Sequence, residues 1–350
     1  MMEHLLFSTP DDLSMATERI TTRWTRLLLS LACVALLAAG GSSAFAQAQA
    51  DRWPSKPVRI VVAGPAGGSA DIVARLLADR LAKDIGQPVI VDPKPGAAGA
   101  LAVNEISQAS ADGHTLLVGV NSLVSEIPHI VKLRLDMARE IRPVAELARG
   151  GLVMVGTPTF APKSLAEVIA YGRAHPGQLT YASYSPGTMS HVLGLLLNQA
   201  SGIDMTHAGY KGSTPALTDV MGGHVPLMFD GIPTSLPLLK AGKIKAYAVS
   251  TPKRSALLPD VPTFRELGYP QLEAVGWMGL WIKPGVPAAV QAQVREAALK
   301  AMAHAGAKER LQEIGFEAGQ LRSPDEMIKG LAADYERVGA VLKAINFKPE

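Results

Sequence analysis

Two glycine-rich turns hold the residues whose types and spacing could do chemistry. One is Gly64-Pro65-Ala66-Gly67-Gly68-Ser69 and the other is Ser183-Tyr184-Ser185-Pro186-Gly187-Thr188. Each follows a short strand, Val58–Val62 or Leu179–Ser183, and each leads into an amphipathic helix, through Asp71, Ile72, Leu76 and Leu77 or through His191, Val192, Leu195 and Leu196. The first turn of a helix leaves backbone N–H groups unpaired and carries the positive end of the helix dipole, so both turns suit an anion. Neither turn contains Lys or Arg. A carboxylate there would meet neutral N–H and O–H donors, with room for bridging water, and no guanidinium fork. Such a site binds without reacting.

Other chemistries fit poorly. The first turn lacks G-x-G-x-x-G spacing, no G-x-x-x-x-G-K-[ST] occurs, and no cofactor motif is found. Gly67-Gly68-Ser69-Ala70-Asp71 approaches G-x-S-x-G but puts Asp71 where the last glycine must sit, so Ser69 reads as a helix cap and Asp71 as a first-turn acid paired with Arg75. None of the eight histidines shows metal-ligand spacing, and His191 reads as a packed, hydrogen-bonded residue. Pro95-Gly96-Ala97-Ala98-Gly99 reads as a tight turn that allows close helix packing. A secreted hydrolase using Ser69 or Ser185 is the competing enzyme reading.

The elements that must position these turns alternate between strand and helix from Val58 to Val249, the pattern of a mixed, mostly parallel sheet flanked by helices. Strands are expected at Val58–Val62, Pro88–Val91, Thr115–Val118, Leu152–Val155, Leu179–Tyr181, Val225–Phe229 and Ile244–Val249. Capping boxes open helices at Ser164-Leu165-Ala166-Glu167 and Ser323-Pro324-Asp325-Glu326. The tail is helical from Pro287 to about Ala303, and again to about Ile345. Two anion-suited turns about 120 residues apart, with no flexible linker between them, imply two lobes joined by crossing strands. The chain crosses near Gly150-Gly151 and returns near Val275 to Ile282. Lobe one is residues 51–151 plus 272–350, and lobe two is 152–271.

Arg19, Arg23 and Arg26 precede a 13-residue apolar run, Leu27 to Ala39, and Ala44-Phe45-Ala46 offers a small-x-small cleavage site. That is a secretory signal, too short to span a bilayer. Residues 1–46 are read as an N-terminal extension and signal peptide with Met15 as the true start; cleavage follows Ala46 or Ala50. The only cysteine, Cys33, lies in the apolar run, where Ser30 at the third position before it speaks against lipidation. A chain cleaved after Ala46 keeps 304 residues with a net charge of +4 and no cysteine, which suits an oxidising compartment. Scattered basic residues and 5% aromatics exclude a nucleic-acid surface. A weak positive field helps collect anions.

The ordered motifs that follow carry a family resemblance. They run from Trp53-Pro54-Ser55-Lys56-Pro57-Val58-Arg59-Ile60 through Gly67-Gly68-Ser69-Ala70-Asp71, Ala74-Arg75, Gly86-Gln87-Pro88-Val89, Pro95-Gly96-Ala97 and Asp112-Gly113-His114-Thr115-Leu116-Leu117. Beyond them come His175-Pro176-Gly177-Gln178-Leu179, Ser183 to His191, Tyr210-Lys211-Gly212, Arg254, Leu258-Pro259-Asp260-Val261-Pro262-Thr263 and Gly276-Trp277. Over nearly all of the mature chain the sequence resembles the Bug or TctC-like periplasmic receptors of tripartite tricarboxylate transporters. The resemblance implies an α/β, two-lobed periplasmic binding protein of type II-like form, with a cleft that closes on a small carboxylate-containing ligand. It implies a periplasmic, monomeric, non-enzymatic receptor that delivers its ligand to membrane permease subunits; a ligand-sensing partner of a sensor kinase is the alternative. The expected ligand contacts are Gly64, Ala66, Gly67, Gly68, Asn121, Ser122, Ser183, Tyr184, Ser185, Gly187, Thr188 and Asp230. Where relatives commonly place Pro-Phe-Pro-Pro-Gly-Gly, this chain has Ala63-Gly64-Pro65-Ala66-Gly67-Gly68, and Tyr184 stands where small residues are usual. Gly209 replaces a common proline and Pro226 a common acidic residue. Either the aromatic wall has moved to Tyr184, favouring an acid with a bulky or planar body, or Tyr184 points to solvent.

Overall fold

Four of the five residues of Val58–Val62 (β1) are β-branched, and a strand with helices on both faces is where such a segment buries most fully. Ile60 and Val62 face one apolar cluster and Val61 faces another on the opposite side of the sheet. The computed structural model describes residues 53–344 and 347–349; the expected signal peptide and Cys33 lie outside the described residues.

After β1 the chain forms helix α1 (Ser69–Ile85), strand β2 (Val89–Pro93), α2 (Ala100–Ser107) and β3 (Thr115–Val120). Three short helices follow, α3 (Ser122–Ser125), α4 (Ile127–Ile130) and α5 (Met137–Glu140), and then β4 (Arg142–Gly150). The second stretch runs β5 (Leu152–Gly156), α6 (Leu165–Ala174), β6 (Leu179–Ser183), α7 (Met189–Ser201), β7 (Met205–Gly209), α8 (Ser213–Met221), β8 (Leu227–Gly231), α9 (Ile232–Lys240) and β9 (Lys245–Val249). The chain ends with β10 (Gly276–Ile282), α10 (Ala288–Ala303), α11 (Ala305–Glu313), β11 (Glu317–Ala318) and α12 (Pro324–Ala344).

The strands build two sheets. One has the order β11-β4-β10-β3-β1-β2 and the other β7-β6-β8-β5-β9. Strands β2, β1 and β3 are parallel, as are β7, β6 and β8, while β10 and β5 run antiparallel to their neighbours. Each sheet is therefore mixed and is covered by helices, the two-lobed α/β architecture expected. Every named strand from Leu152 to Val249 belongs to the second sheet, and the chain leaves the first at Gly150 and rejoins it at Gly276.

The expected strands all form, with ends shifted by up to two residues. β4 carries Pro143, Glu146 and Arg149 and does not alternate like a surface strand. It forms because Val144, Ala145, Leu147 and Ala148 are buried, while the enclosed Glu146 carboxylate takes Arg149 at 2.9 Å and Arg322 from beyond β11 at 2.9 Å. Ser323 and Glu326 form the reciprocal capping box that opens α12. At α6 the Glu167 N–H donates to Ser164 Oγ, but the Glu167 carboxylate takes the N–H of Lys163 instead of Ser164.

Candidate functional site

The N-cap positions of five helices of eight residues or more line one cavity of about 490 Å³. They are Gly68 of α1 and Gly99 of α2 from the first lobe, and Thr188 of α7, Gly212 of α8 and Gly231 of α9 from the second. The reason is topological: each helix follows the carboxyl end of a strand or its turn, and in open α/β sheets those ends face the ligand crevice. First-turn N–H groups at Ser69, Ala70 and Met189 come with these termini, and all three residues line the cavity.

Charge adds to the dipoles. Lys132, Arg149 and Lys211 line the cavity, and among the described residues no Asp, Glu or His lines it. Arg149 is partly neutralised by its bond to Glu146, so Lys132 and Lys211 supply the positive field. Tyr184, Tyr210, Trp277 and Phe316 contribute aromatic surface. The arrangement favours an anionic head on an apolar or planar body. Among the described residues no group of three or more His, Cys, Asp or Glu could hold a metal ion.

Of the twelve residues expected from sequence, Gly64, Gly68, Asn121, Ser122, Tyr184, Ser185 and Thr188 line the cavity. Asn121 gives its carboxamide oxygen to the Trp277 N–H at 3.0 Å, so its NH₂ donors are what it offers the cavity. Tyr184 is half-buried and lines the cavity instead of pointing to solvent. Burial, reinforced by the Glu126 carboxylate, pushes its pKa well above the usual phenol value, so it stays neutral.

The other five are placed differently. Ser183 is fully buried and its hydroxyl is engaged with His207 Nε2 at 2.7 Å. Asp230 is fully buried and accepts the hydroxyls of Ser213, Thr234 and Ser235 at 2.6, 2.6 and 2.7 Å. It therefore ties the starts of α8 and α9 together from behind the cavity wall. Gly187, at φ +80°, lies where a Cβ would come within 2.8 Å of the Ile127 backbone, so it serves close approach between lobes. Ala66 and Gly67 are exposed outside the lining, and the Gly67 N–H donates to Asp71 at 2.9 Å.

Two further readings change. Gly68 is the N-cap of α1, and Ser69 is its first residue, with a buried Oγ that has no hydrogen-bond partner. Arg75 does pair with Asp71, at 2.8 Å. The turn Gly96–Gly99, expected only to aid packing, lines the cavity. Its signal in the sequence was the glycine run before a helix. Lys132 carried no such signal and reaches the cavity through the fold, while Lys211 lies within the motif Tyr210-Lys211-Gly212, to which the sequence alone assigned no ligand contact.

His191 is buried as expected, and it stacks on His207 with ring centroids 3.5 Å apart and planes 7° apart. Burial lowers their pKa values to about 3 and about 4, and for His191 the neighbouring His207 adds to the shift. Both rings are neutral at physiological pH. Glu126 is buried next to the cavity, and desolvation raises its pKa to about 7.

Residues 73–347 match the sequence profile of the tripartite tricarboxylate transporter family receptors. A UPF0065 protein of Bordetella bronchiseptica is 33% identical over 305 residues, covering 86% of this chain and 89% of that protein. Among solved structures, a Rhodopseudomonas palustris protein with adipate is similar at 31% identity and TM-score 0.81, over 85% of this chain and 100% of that one. MatC of the same organism, with bound malate, is similar at 32% identity and TM-score 0.78, over 83% and 100%.

Proposed function

The chain belongs to the family of tripartite tricarboxylate transporter receptors, and on that premise we propose that it is a periplasmic solute-binding protein that closes on a small carboxylate-containing ligand. A receptor of this family binds its ligand and does not transform it. The observation that carries the ligand class is the cavity wall: helix N-termini converge from both lobes, Lys132 and Lys211 join them, and no carboxylate faces in. The solved relatives hold adipate and malate, both carboxylic acids.

In this reading one carboxylate sits against the N–H groups of Ser69 and Ala70 and the Asn121 amide. The ligand body lies beside Tyr184 and Trp277, with Lys132 and Lys211 within the same cavity. Ser122, Ser185, Thr188 and the glycines Gly64 and Gly68 shape the wall. Tyr184 as the aromatic wall favours an acid with a bulky or planar body over a small flexible dicarboxylate. Lobe one is assigned to residues 51–151 plus 272–350 and lobe two to 152–271. The leader delivers the protein to the periplasm, and the loaded form passes its ligand to a permease.

A thermal-shift screen with benzoate, adipate, malate and glutamate tests this. A ligand at 100 times its Kd stabilises by about 2.7 kcal/mol, and benzoate is expected to give the largest shift. A malate shift that exceeds it and survives Tyr184→Ala overturns the preference for a planar body. No shift with any acid in a broad carboxylate panel overturns the ligand class.

A further inference from the structure

Ser122 lines the cavity, and its hydroxyl is hydrogen-bonded to the carboxyl of Glu126, one helical turn on and only 7% exposed. Glu126 therefore stands behind a cavity-lining serine and, among the described residues, has no salt-bridge partner. The charged groups nearest it on α12, Asp334 and Arg337, are paired with each other at 2.9 Å. On its own segment, His129 is turned to α12, where its Nε2 meets the Tyr335 carbonyl at 2.8 Å and its ring lies against Tyr335, centroids 3.9 Å apart and planes tilted by 35°. From the second lobe the facing titratable group is the neutral phenol of Tyr184.

The chemistry of this pair has two states. An ionised carboxylate only accepts, so Ser122 must donate to it and can offer the cavity nothing but lone pairs. A protonated carboxyl donates to Ser122 Oγ, and the serine hydrogen is then free to turn to the cavity. Resting on the carboxylate reading above, we propose that Glu126 is a positioning residue that sets the direction of the Ser122 hydroxyl. Its protonation arms Ser122 as a donor to the bound carboxylate, and capture of the acid takes up one proton. The proton goes to Glu126 Oε, and no bond other than hydrogen bonds forms or breaks. The ligand's negative charge favours the same state by repelling an ionised Glu126. Burial places the pKa of the free carboxyl at about 7, where the two states interconvert under physiological conditions.

The test uses the mature protein and whichever of benzoate, adipate or malate gives the largest melting shift. Calorimetry at pH 7.5 in two buffers of different ionisation enthalpy should show net proton uptake by the wild type. Its Kd should weaken about tenfold from pH 6 to pH 8, the linkage expected for one proton with a midpoint near 7. Glu126→Gln, whose carboxamide donates permanently to Ser122 Oγ, should bind at pH 8 as tightly as the wild type does at pH 6, with no proton uptake. A variant weakened equally at both pH values, or one that keeps the pH dependence, overturns the proposal, since a merely structural Glu126 predicts the first and another group the second. In ligand-free protein carrying δ-¹³C glutamate, one signal lost in Glu126→Gln should titrate near pH 7. Titration of that signal near 4.5 overturns the proton coupling and leaves the carboxylate reading standing. Wild-type protein that binds none of the acids between pH 6 and 8 overturns both.

Discussion

His191 and His207 stack as two neutral imidazoles, which makes them a stability device with a defined sign. Their folded pKa values are depressed to about 3 and about 4, below the unfolded value near 6.5. Their contribution is fully present above pH 6.5 and is lost as pH falls towards the folded values, at roughly 1.4 kcal/mol per pH unit for each ring. Glu126 has the opposite sign. Its folded pKa is raised to about 7, so its contribution is full below about 4.5 and is lost as pH rises to 7. The histidine pair therefore contributes a loss of stability on acidification below about pH 6.5, while Glu126 and the fully buried Asp230, whose carboxyl is also raised by burial, act in the opposite sense. His207→Gln should roughly halve the histidine part of that acid slope in melts between pH 4 and 6; an unchanged slope would assign the loss to other groups. The sequence showed His191 as a packed residue, because it sits on the apolar face of a helix. It did not show the partner, since His207 lies on β7, a strand the residue pattern of Met205–Gly209 does not announce. The same strand bears on Ser183: next to a glycine turn its residue type suits a cavity donor, and β7 brings His207 to its hydroxyl.

At the scale of elements, the crossings between sheets are bolted by one side chain. Ser250 is fully buried; its Oγ accepts from the Leu152 N–H and donates to the Ala274 carbonyl, each at 2.8 Å. Its own N–H donates to the Leu152 carbonyl and its carbonyl accepts from the Ala274 N–H, each at 2.8 Å. Three passages of the chain thus lie side by side, and Gly151 leaves the space: a Cβ there would come within 2.6 Å of Thr251 and 2.7 Å of Ser250 Oγ. Ser250→Ala leaves the buried Leu152 N–H without its partner and should cost about 1–3 kcal/mol in chemical denaturation. A loss under about 0.5 kcal/mol would remove the bolt. The first crossing shows in the sequence as Gly150-Gly151 set directly before the apolar run Leu152–Val155. The strand before it, β4, does not, because Glu146 and Arg149 look solvent-facing until Arg322, far along the chain, arrives to enclose the carboxylate. The capping box at Ser323 and the serine cap at Ser164 could be read directly, since a cap is a local interaction, although the Glu167 half of the box expected at Ser164 goes to Lys163 instead.

At the scale of the molecule, the two lobes touch across the cavity at places where only glycine fits. Gly212, at φ +128°, lies where a Cβ would fall 2.2 Å from the Pro65 ring of the opposite lobe. Away from the cavity, Val192 of α7 packs with Ile130, Val338 and Leu342 of the first lobe. The lobes therefore approach closely, and a ligand that touches both favours this arrangement through its differential affinity for it. In solution the ligand-free protein should populate a more open form, and small-angle scattering should show a smaller radius of gyration at saturating ligand than without. Gly212→Ala places a methyl against a rigid proline ring, and the positive φ adds strain of order 1–3 kcal/mol. It should remain folded by melting, yet bind more weakly and fail to contract with ligand. Pro65 lies on the other lobe, so loss of contraction with retained folding is a signature of blocked closure, which damage confined to one lobe would not give. A variant that contracts like the wild type would show that the Pro65–Gly212 contact does not limit closure, and wild-type protein unchanged in radius at saturating ligand would exclude hinge motion as the capture mechanism.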